Sequence, residues 1–162
     1  DYPYMIELFS RNPDFIILEE DALLTPLPID EEISSLSAIL LNTSYYELLT
    51  HGQLILDGIP VLRPTCLIPF KAKAWLDLNE RRARGEHVDS KNIRKHKNDV
   101  FRLAQLLTPA TRQTINPEIA EDMKFFLSAM QNETIDLKSL GIKGTSKEKI
   151  LVFLYQCYDL TK

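Results

Sequence analysis

Near the start of the chain the apolar positions gather in two short runs, "YMIELFS" (Tyr4–Ser10) and "DFIILEE" (Asp14–Glu20). Both have strand length and β-type composition. The "RNP" between them is a turn signal, so together they predict an antiparallel pair. "TPLPID" breaks the pattern with Pro26 and Pro28. "DEEISSLSAILLN" (Asp30–Asn42) then carries helical spacing, with Asp30 as its N-cap, and "SYYELLTHG" predicts a second short helix closed by Gly52. "QLILDGIPVLRP" (Gln53–Pro64) predicts a hairpin, because Asp57-Gly58 suits a type I′ turn whose two central residues need positive φ. Strand character ends near Arg63-Pro64.

From there the pattern is helical. One helix is predicted from Thr65 to Arg84, closed by Gly85, with Pro69 inside its first turns. A second is predicted from Asp89 to Leu107, capped by Asp89 or Ser90. "TPATRQ" interrupts. A third begins at "NPEIAEDMKFF", with Asn116 as N-cap and Pro117 at the first helical position. A fourth begins at "TSKEKILVFLYQ", where Thr145 and Glu148 have capping-box spacing. The prediction is an α+β chain: a small antiparallel β part over 1–64, followed by a helical bundle over 65–162.

Composition changes this picture little. The chain has 162 residues, 44% hydrophobic and 26% charged, as expected of a globular protein with room for a core. No run is long and apolar enough for a membrane span, and no signal peptide is visible. Cys66 and Cys157 lack metal spacing and read as two reduced core thiols of a cytosolic protein. The first residue is Asp1, not Met, and strand character begins at Tyr2, so the chain reads as part of something longer.

Charge changes it more. The formal net charge is −4, and Asp1 to Glu32 holds one basic residue against nine acidic ones. Lys71 to Arg102 holds ten Lys/Arg against five Asp/Glu, a local net of +5, which leaves −9 for the rest. Such asymmetry marks either a polyanion or phosphate site or a solvated helical face.

Helical phasing separates the charges. In the Thr65–Arg84 helix, Phe70, Ala74, Trp75 and Leu78 share an arc with Leu67, and Lys71 falls inside it. Arg82 falls in the same arc at the helix end. A lysine on a core-facing arc needs a carboxylate or phosphate partner, or it must snorkel its head to water. In the Asp89–Leu107 helix, Ile93, Val100, Leu103, Ala104 and Leu107 set the apolar arc. His96 falls within it and Asp99 at its flank, one turn apart. Lys95, Asn98 and Arg102 point away, and Lys97 is ambiguous. A Lys71–Asp99 pair between the two helices is predicted, and a purely structural ion pair would account for it equally.

Other chemistry is sparse. His51, His87 and His96 form no metal motif. There is no P-loop, dinucleotide fingerprint or nucleophile elbow. No aromatic ladder for single-stranded nucleic acid accompanies the basic region, and no helix-turn-helix signature stands out. Glu7 interrupts an apolar strand, sharing a face with Met5 and Phe9. Taken alone it reads as one polar residue on an edge strand.

"RPTCLIPFKAKAWLDLNERR" followed by "KHKNDVFRLAQLL" resembles the second half of nucleotidyltransferase-like proteins of the AbiEii abortive-infection toxin kind. In that family a helix with an inward lysine precedes a helix with a basic-acid-x-x-Asp pattern and an apolar follower. Lys71 matches the helix lysine, and Lys95, His96, Asp99 and Val100 match the second pattern, with His96 where an acid is common. The resemblance covers roughly Tyr2 to Leu107. It implies a partial nucleotidyltransferase palm, and a Mg²⁺-dependent transfer of NMP from an NTP to an RNA, protein or small-molecule acceptor. It also implies the setting of a toxin with an antitoxin partner.

By the same resemblance Lys71 and Asp99 are catalytic, and Lys95, His96 and Arg82 bind nucleotide or acceptor. Glu7 is a catalytic carboxylate and metal ligand. The Gly-Ser turn and Asp-x-Asp pair that hold metal and triphosphate in the family are missing from this chain, so the chain alone is expected to be inactive. Two other readings stand beside this one: a non-catalytic helical module for RNA or an acidic protein partner, and a helical scaffold with a structural Lys–Asp pair.

Overall fold

The computed structural model describes residues 8–11 and 38–160, with 8–11 and 38–40 described by their backbone. The element order is β1 (Leu8–Arg11), β2 (Ala38–Leu41), α1 (Thr43–His51), β3 (Gln53–Leu56), β4 (Ile59–Leu62), α2 (Pro64–Ala83), α3 (Ser90–Ala104), α4 (Pro117–Asn132) and α5 (Lys147–Cys157). The described chain is a small α+β fold. It divides into two compact units, 1–47 and 48–162, with the division inside α1, so the β3–β4 hairpin belongs with the helices.

In the first unit, β1 and β2 pair in parallel, with Leu8 opposite Ala38 and Arg11 opposite Leu41. One expectation is corrected here. The end of the helix predicted over Asp30–Asn42 is strand, because "AILL" is a short continuous apolar run, and periodicity cannot tell such a run from a buried helical turn. Of the "YMIELFS" run the described residues, Leu8–Ser10, are strand, which continues through Arg11 and takes β2 as a parallel partner. Its expected antiparallel partner, "DFIILEE", lies outside the described residues, as do Asp30, Glu7 and the "TPLPID" break. Asn42 caps α1, its Oδ1 accepting from the Tyr45 amide at 3.0 Å.

In the second unit, β3 and β4 form the expected hairpin, with Leu56 opposite Ile59. Asp57 and Gly58 both have positive φ, 51° and 79°, as a type I′ turn requires. Gly52 is required for a different reason from the one predicted. It is not left-handed; a Cβ there would lie 2.6 Å from Cys66 Sγ and 2.8 Å from the Leu48 carbonyl oxygen. The start of α2 therefore passes directly against the backbone that ends α1.

In α4 the buried stripe is Ile119, Met123, Phe126, Leu127 and Met130, and in α3 it is Ile93, Val100, Phe101 and Ala104. The arc predicted for α2 is corrected: the helix buries Cys66, Ile68, Pro69, Ala72 and Trp75, so of the predicted positions only Trp75 is in the core, and Leu67, Phe70, Ala74 and Leu78 are half-buried. In α3, Phe101 is buried in place of the predicted Leu103 and Leu107. α2 packs on both α3 and α4, and α5 packs on α4. Trp75 of α2 meets Phe126 of α4 edge to face, ring centroids 5.5 Å apart. Asp89 caps α3 by accepting from the Lys91 amide at 2.8 Å, and Asn116 caps α4 by accepting from Glu118 at 3.0 Å. At α5 the cap is Ser146, accepting from Lys149 at 3.3 Å, one residue beyond the predicted Thr145. The predicted Thr145–Glu148 box is therefore out of phase with the helix, and α3 ends at Ala104 rather than Leu107.

Pro69 stays inside α2, where it removes the amide that would bond the Thr65 carbonyl. The Tyr158 hydroxyl, from just past α5, donates to that carbonyl at 2.8 Å. Gln113, in the segment between α3 and α4, closes the same junction: its Oε1 accepts from Thr65 Oγ1 at 3.0 Å and its amide donates to the Cys157 carbonyl at 2.8 Å. A proline defect in one helix is thus filled by a side chain 93 residues away in sequence. Burial, with lesser effects from the Cys157 and Cys66 thiols, pushes the Tyr158 phenol well above its usual range, so it remains a donor.

Candidate functional site

Lys71 lies two turns into α2 and Asp99 on the third turn of α3, where the two helices pack. Lys71 Nζ lies 3.3 Å from Asp99 Oδ2, and the two side chains are 23% and 20% exposed. The predicted pair is therefore made, and it is set at the edge of the core, not within it. Both side chains are partly open to solvent, so a ligand can reach the pair. Asp99 is shared: its Oδ1 lies 3.4 Å from Arg102 NH1, one turn along α3. Two cations thus meet one carboxylate, and the cluster keeps a net positive charge. His96 precedes Asp99 by one turn on α3; it is half-buried, with Nδ1 shielded from solvent.

The remaining predicted site residues scatter. Lys95 is on the same helix but exposed, as its phase predicted. Arg82 is in the last turn of α2, roughly 16 Å along the helix axis from Lys71. It is exposed and donates to Asn79 Oδ1 at 2.8 Å. The structure brings Lys71, Asp99 and His96 together and leaves Arg82 apart. Glu7, the candidate third carboxylate, lies outside the described residues.

The ambiguous Lys97 turns out to be structural. Its side chain is 13% exposed, and its ammonium bonds Glu133 Oε2 at 2.6 Å and the Thr134 carbonyl at 3.2 Å, tying α3 to the end of α4. Lys147 donates to the Gln131 and Glu133 carbonyls at 2.8 and 3.1 Å, so two lysines satisfy that terminus. Lys73 faces away from the Lys71 side of α2. It meets Asp77 at 3.4 Å and Asp122 of α4 at 3.3 Å. Burial works against its ammonium, but the two carboxylates outweigh burial and raise its pKa above the usual lysine value.

The fit to Mg²⁺ is poor. Among the described residues no group of three or more His, Cys, Asp or Glu side chains is placed to hold a metal ion. Lys71 and Arg102 occupy the two oxygens of Asp99 instead. Burial pushes both thiols up, Cys66 against a weaker hydrogen bond from Thr65 and Cys157 against a weaker pull from Arg112, so neither is an activated nucleophile. No described helix is long and apolar enough to cross a membrane.

No protein-family model matches the chain, and no curated protein or solved structure gives a significant match to it. The residues themselves therefore carry the functional reading.

Proposed function

We propose that this chain is part of a nucleotidyltransferase, in which Lys71, oriented by Asp99, takes up phosphate charge of a bound nucleoside triphosphate. The observation that carries the reading is the interhelical Lys71–Asp99 pair at 3.3 Å, partly open to solvent, with a second cation, Arg102, on the same carboxylate. Nucleotidyl transfer builds negative charge on phosphate oxygens, and a cation fixed before the reaction stabilises that charge without reorganisation. Asp99 holds the ammonium in place and His96 lies one turn away, positioned as a hydrogen-bonding group toward nucleotide or acceptor. The metal implied by such chemistry, and the carboxylates that hold it, belong to residues other than the described ones. The acceptor is an RNA, a protein or a small molecule, and an antitoxin is the partner implied by the toxin resemblance. Two unpaired, reduced thiols support a cytoplasmic setting.

The test is titration of the whole chain with each of the four NTPs, followed by amide NMR shifts. Residues 71, 96 and 99 are expected to move, and Lys71→Met to abolish the response. The chain alone is expected to transfer no nucleotide; detectable transfer would overturn this location of the site. If NTPs leave these residues unmoved, or if Lys71→Met/Asp99→Leu binds NTP as the parent does, the pair is a scaffold element.

A second reading is favoured by one observation: Lys95 and Arg102 are exposed on α3. On that reading the chain is a non-catalytic module for RNA or an acidic partner.

A further inference from the structure

The ten basic residues between Lys71 and Arg102 are not equivalent once the ion pairs are in view. Lys71 and Arg102 meet Asp99, Lys73 meets Asp77 and Asp122, Arg81 and Arg84 meet Glu86, and Lys97 meets Glu133. Ion pairs, some within a helix and some between helices, thus engage six of them. Arg82, Lys91, Arg94 and Lys95 remain; all four are exposed and none makes an ion pair among the described residues.

These four are not scattered. Arg82 is in the last turn of α2, and Lys91, Arg94 and Lys95 are in the first two turns of α3, across the connection over 84–89. Lys91, Arg94 and Lys95 have i, i+3, i+4 spacing, so their Cβ atoms are neighbours about 5–6 Å apart on one face. Cations at this end oppose the α3 dipole; the Asp89 cap sets one carboxylate against three of them, and the first turn itself holds no acidic residue. Their placement therefore does not follow from the stability of α3 itself.

We infer that this end of the α2–α3 hairpin is a docking surface for the phosphodiester backbone of a nucleic acid, gripped without base readout. Charge complementarity selects a polyanion: four cations without an ion pair flank the 84–89 connection, on a chain whose net charge is −4. The chemistry around them selects nucleic acid over an acidic protein or a lipid surface. The large hydrophobic side chains exposed among the described residues are Ile55, Leu56, Ile59, Leu106, Phe125 and Val152, and none falls between Arg82 and Lys95. A protein interface needs an apolar anchor at its centre, and membrane binding needs an apolar face to insert. Ser90 and Asn92, both exposed beside the cations, add hydrogen-bonding groups suited to phosphate and sugar oxygens. No Phe, Tyr or Trp lies between Arg82 and Lys95, and His87 is the one exposed ring there, so the grip runs through the backbone and not through a ladder of stacked bases. The inference deepens the RNA-module reading, with which it shares Lys95, and uses charges outside the Lys71–Asp99 pair, so the NTP titration and the salt slope test the two separately.

The test is fluorescence anisotropy with the whole chain and a labelled RNA duplex of mixed sequence, from 50 to 200 mM salt. Four phosphate contacts give a slope of log K against log salt of about −3.6, roughly a 150-fold loss over that range. Lys91→Ala/Arg94→Ala/Lys95→Ala leaves one contact and is expected to flatten the loss to about fourfold. Lys138→Ala/Lys143→Ala/Lys149→Ala, a control of equal charge on exposed lysines elsewhere, is expected to keep the parental slope, with thermal melts showing both variants folded. The inference is overturned by no duplex binding at 50 mM salt, or by equal slopes in the two triple variants. It is also overturned if polyglutamate or phosphatidylserine vesicles bind the Lys91/Arg94/Lys95 surface and the duplex does not.

Discussion

Replacing Tyr158 by Phe removes one oxygen from a side chain that is 3% exposed. That oxygen donates at 2.8 Å to the Thr65 carbonyl, which Pro69 deprives of its normal helical partner. Losing a buried hydrogen bond typically costs about 1 kcal/mol, and leaving its acceptor unsatisfied brings the total to about 1–3 kcal/mol. We expect a loss of about 2 kcal/mol, or roughly 4–8 °C in Tm for a chain of this size. A double-mutant cycle with Pro69→Ala isolates the cause. That substitution restores an amide that can bond the Thr65 carbonyl, so Tyr158→Phe should cost at least about 1 kcal/mol less in that background than in the parent. Urea unfolding of the four proteins measures both quantities. If Tyr158→Phe costs under about 0.5 kcal/mol, or costs the same in both backgrounds, the hydroxyl does not compensate for the proline.

Gly52→Ala should destabilise by about 1–3 kcal/mol in the same unfolding assay, because its Cβ would meet Cys66 Sγ at 2.6 Å with the Leu48 carbonyl behind it. The Lys73 cluster should show opposite signs at the two ends of the pH scale. Lys73 has a raised pKa, so its contribution is full below the usual lysine range and is lost as pH rises through its folded value; Asp122→Asn, which removes the closer and less exposed carboxylate, should blunt that loss in Tm measured from pH 9 to 12. Burial raises the Asp77 carboxyl against the pull of Lys73, so protonation there favours the fold as pH falls through its folded value, and Asp77→Asn should be neutral or slightly stabilising at pH 7. A clear destabilisation by Asp77→Asn at pH 7 would contradict that sign.

Much of the helical part could be read directly from the sequence. The Asn116-Pro117 start, the Asp89 cap and the Asp57-Gly58 turn are local chemistry, and local chemistry decided them. Phasing alone put Lys71 and Asp99 on facing arcs, and the two do meet. It was less informative where the pattern is short or the partner distant. "AILL" has too few residues to distinguish helix from strand, and its pairing with Leu8–Arg11 spans residues far apart in sequence. Lys97 sat between two faces, and only the end of α4 decided that it turns inward to Glu133. Arg82 shared an arc with Lys71, yet the length of the helix separates them.

By itself the sequence determined the Asp57-Gly58 turn and the Asp89 and Asn116 caps, because those choices depend on groups a few residues apart. Tertiary structure alone decided which charges are neutralised and which backbone defects are repaired. Glu86, Asp99, Asp122 and Glu133 pair with six cations of the basic region, four of them through contacts within or between α2, α3 and the turn joining them, and two through α4 and the residue that follows it. Tyr158 reaches across the fold to the carbonyl that Pro69 leaves open. Charge and hydrogen-bonding capacity are written in the residues, but their satisfaction depends on distances that only the folded chain sets.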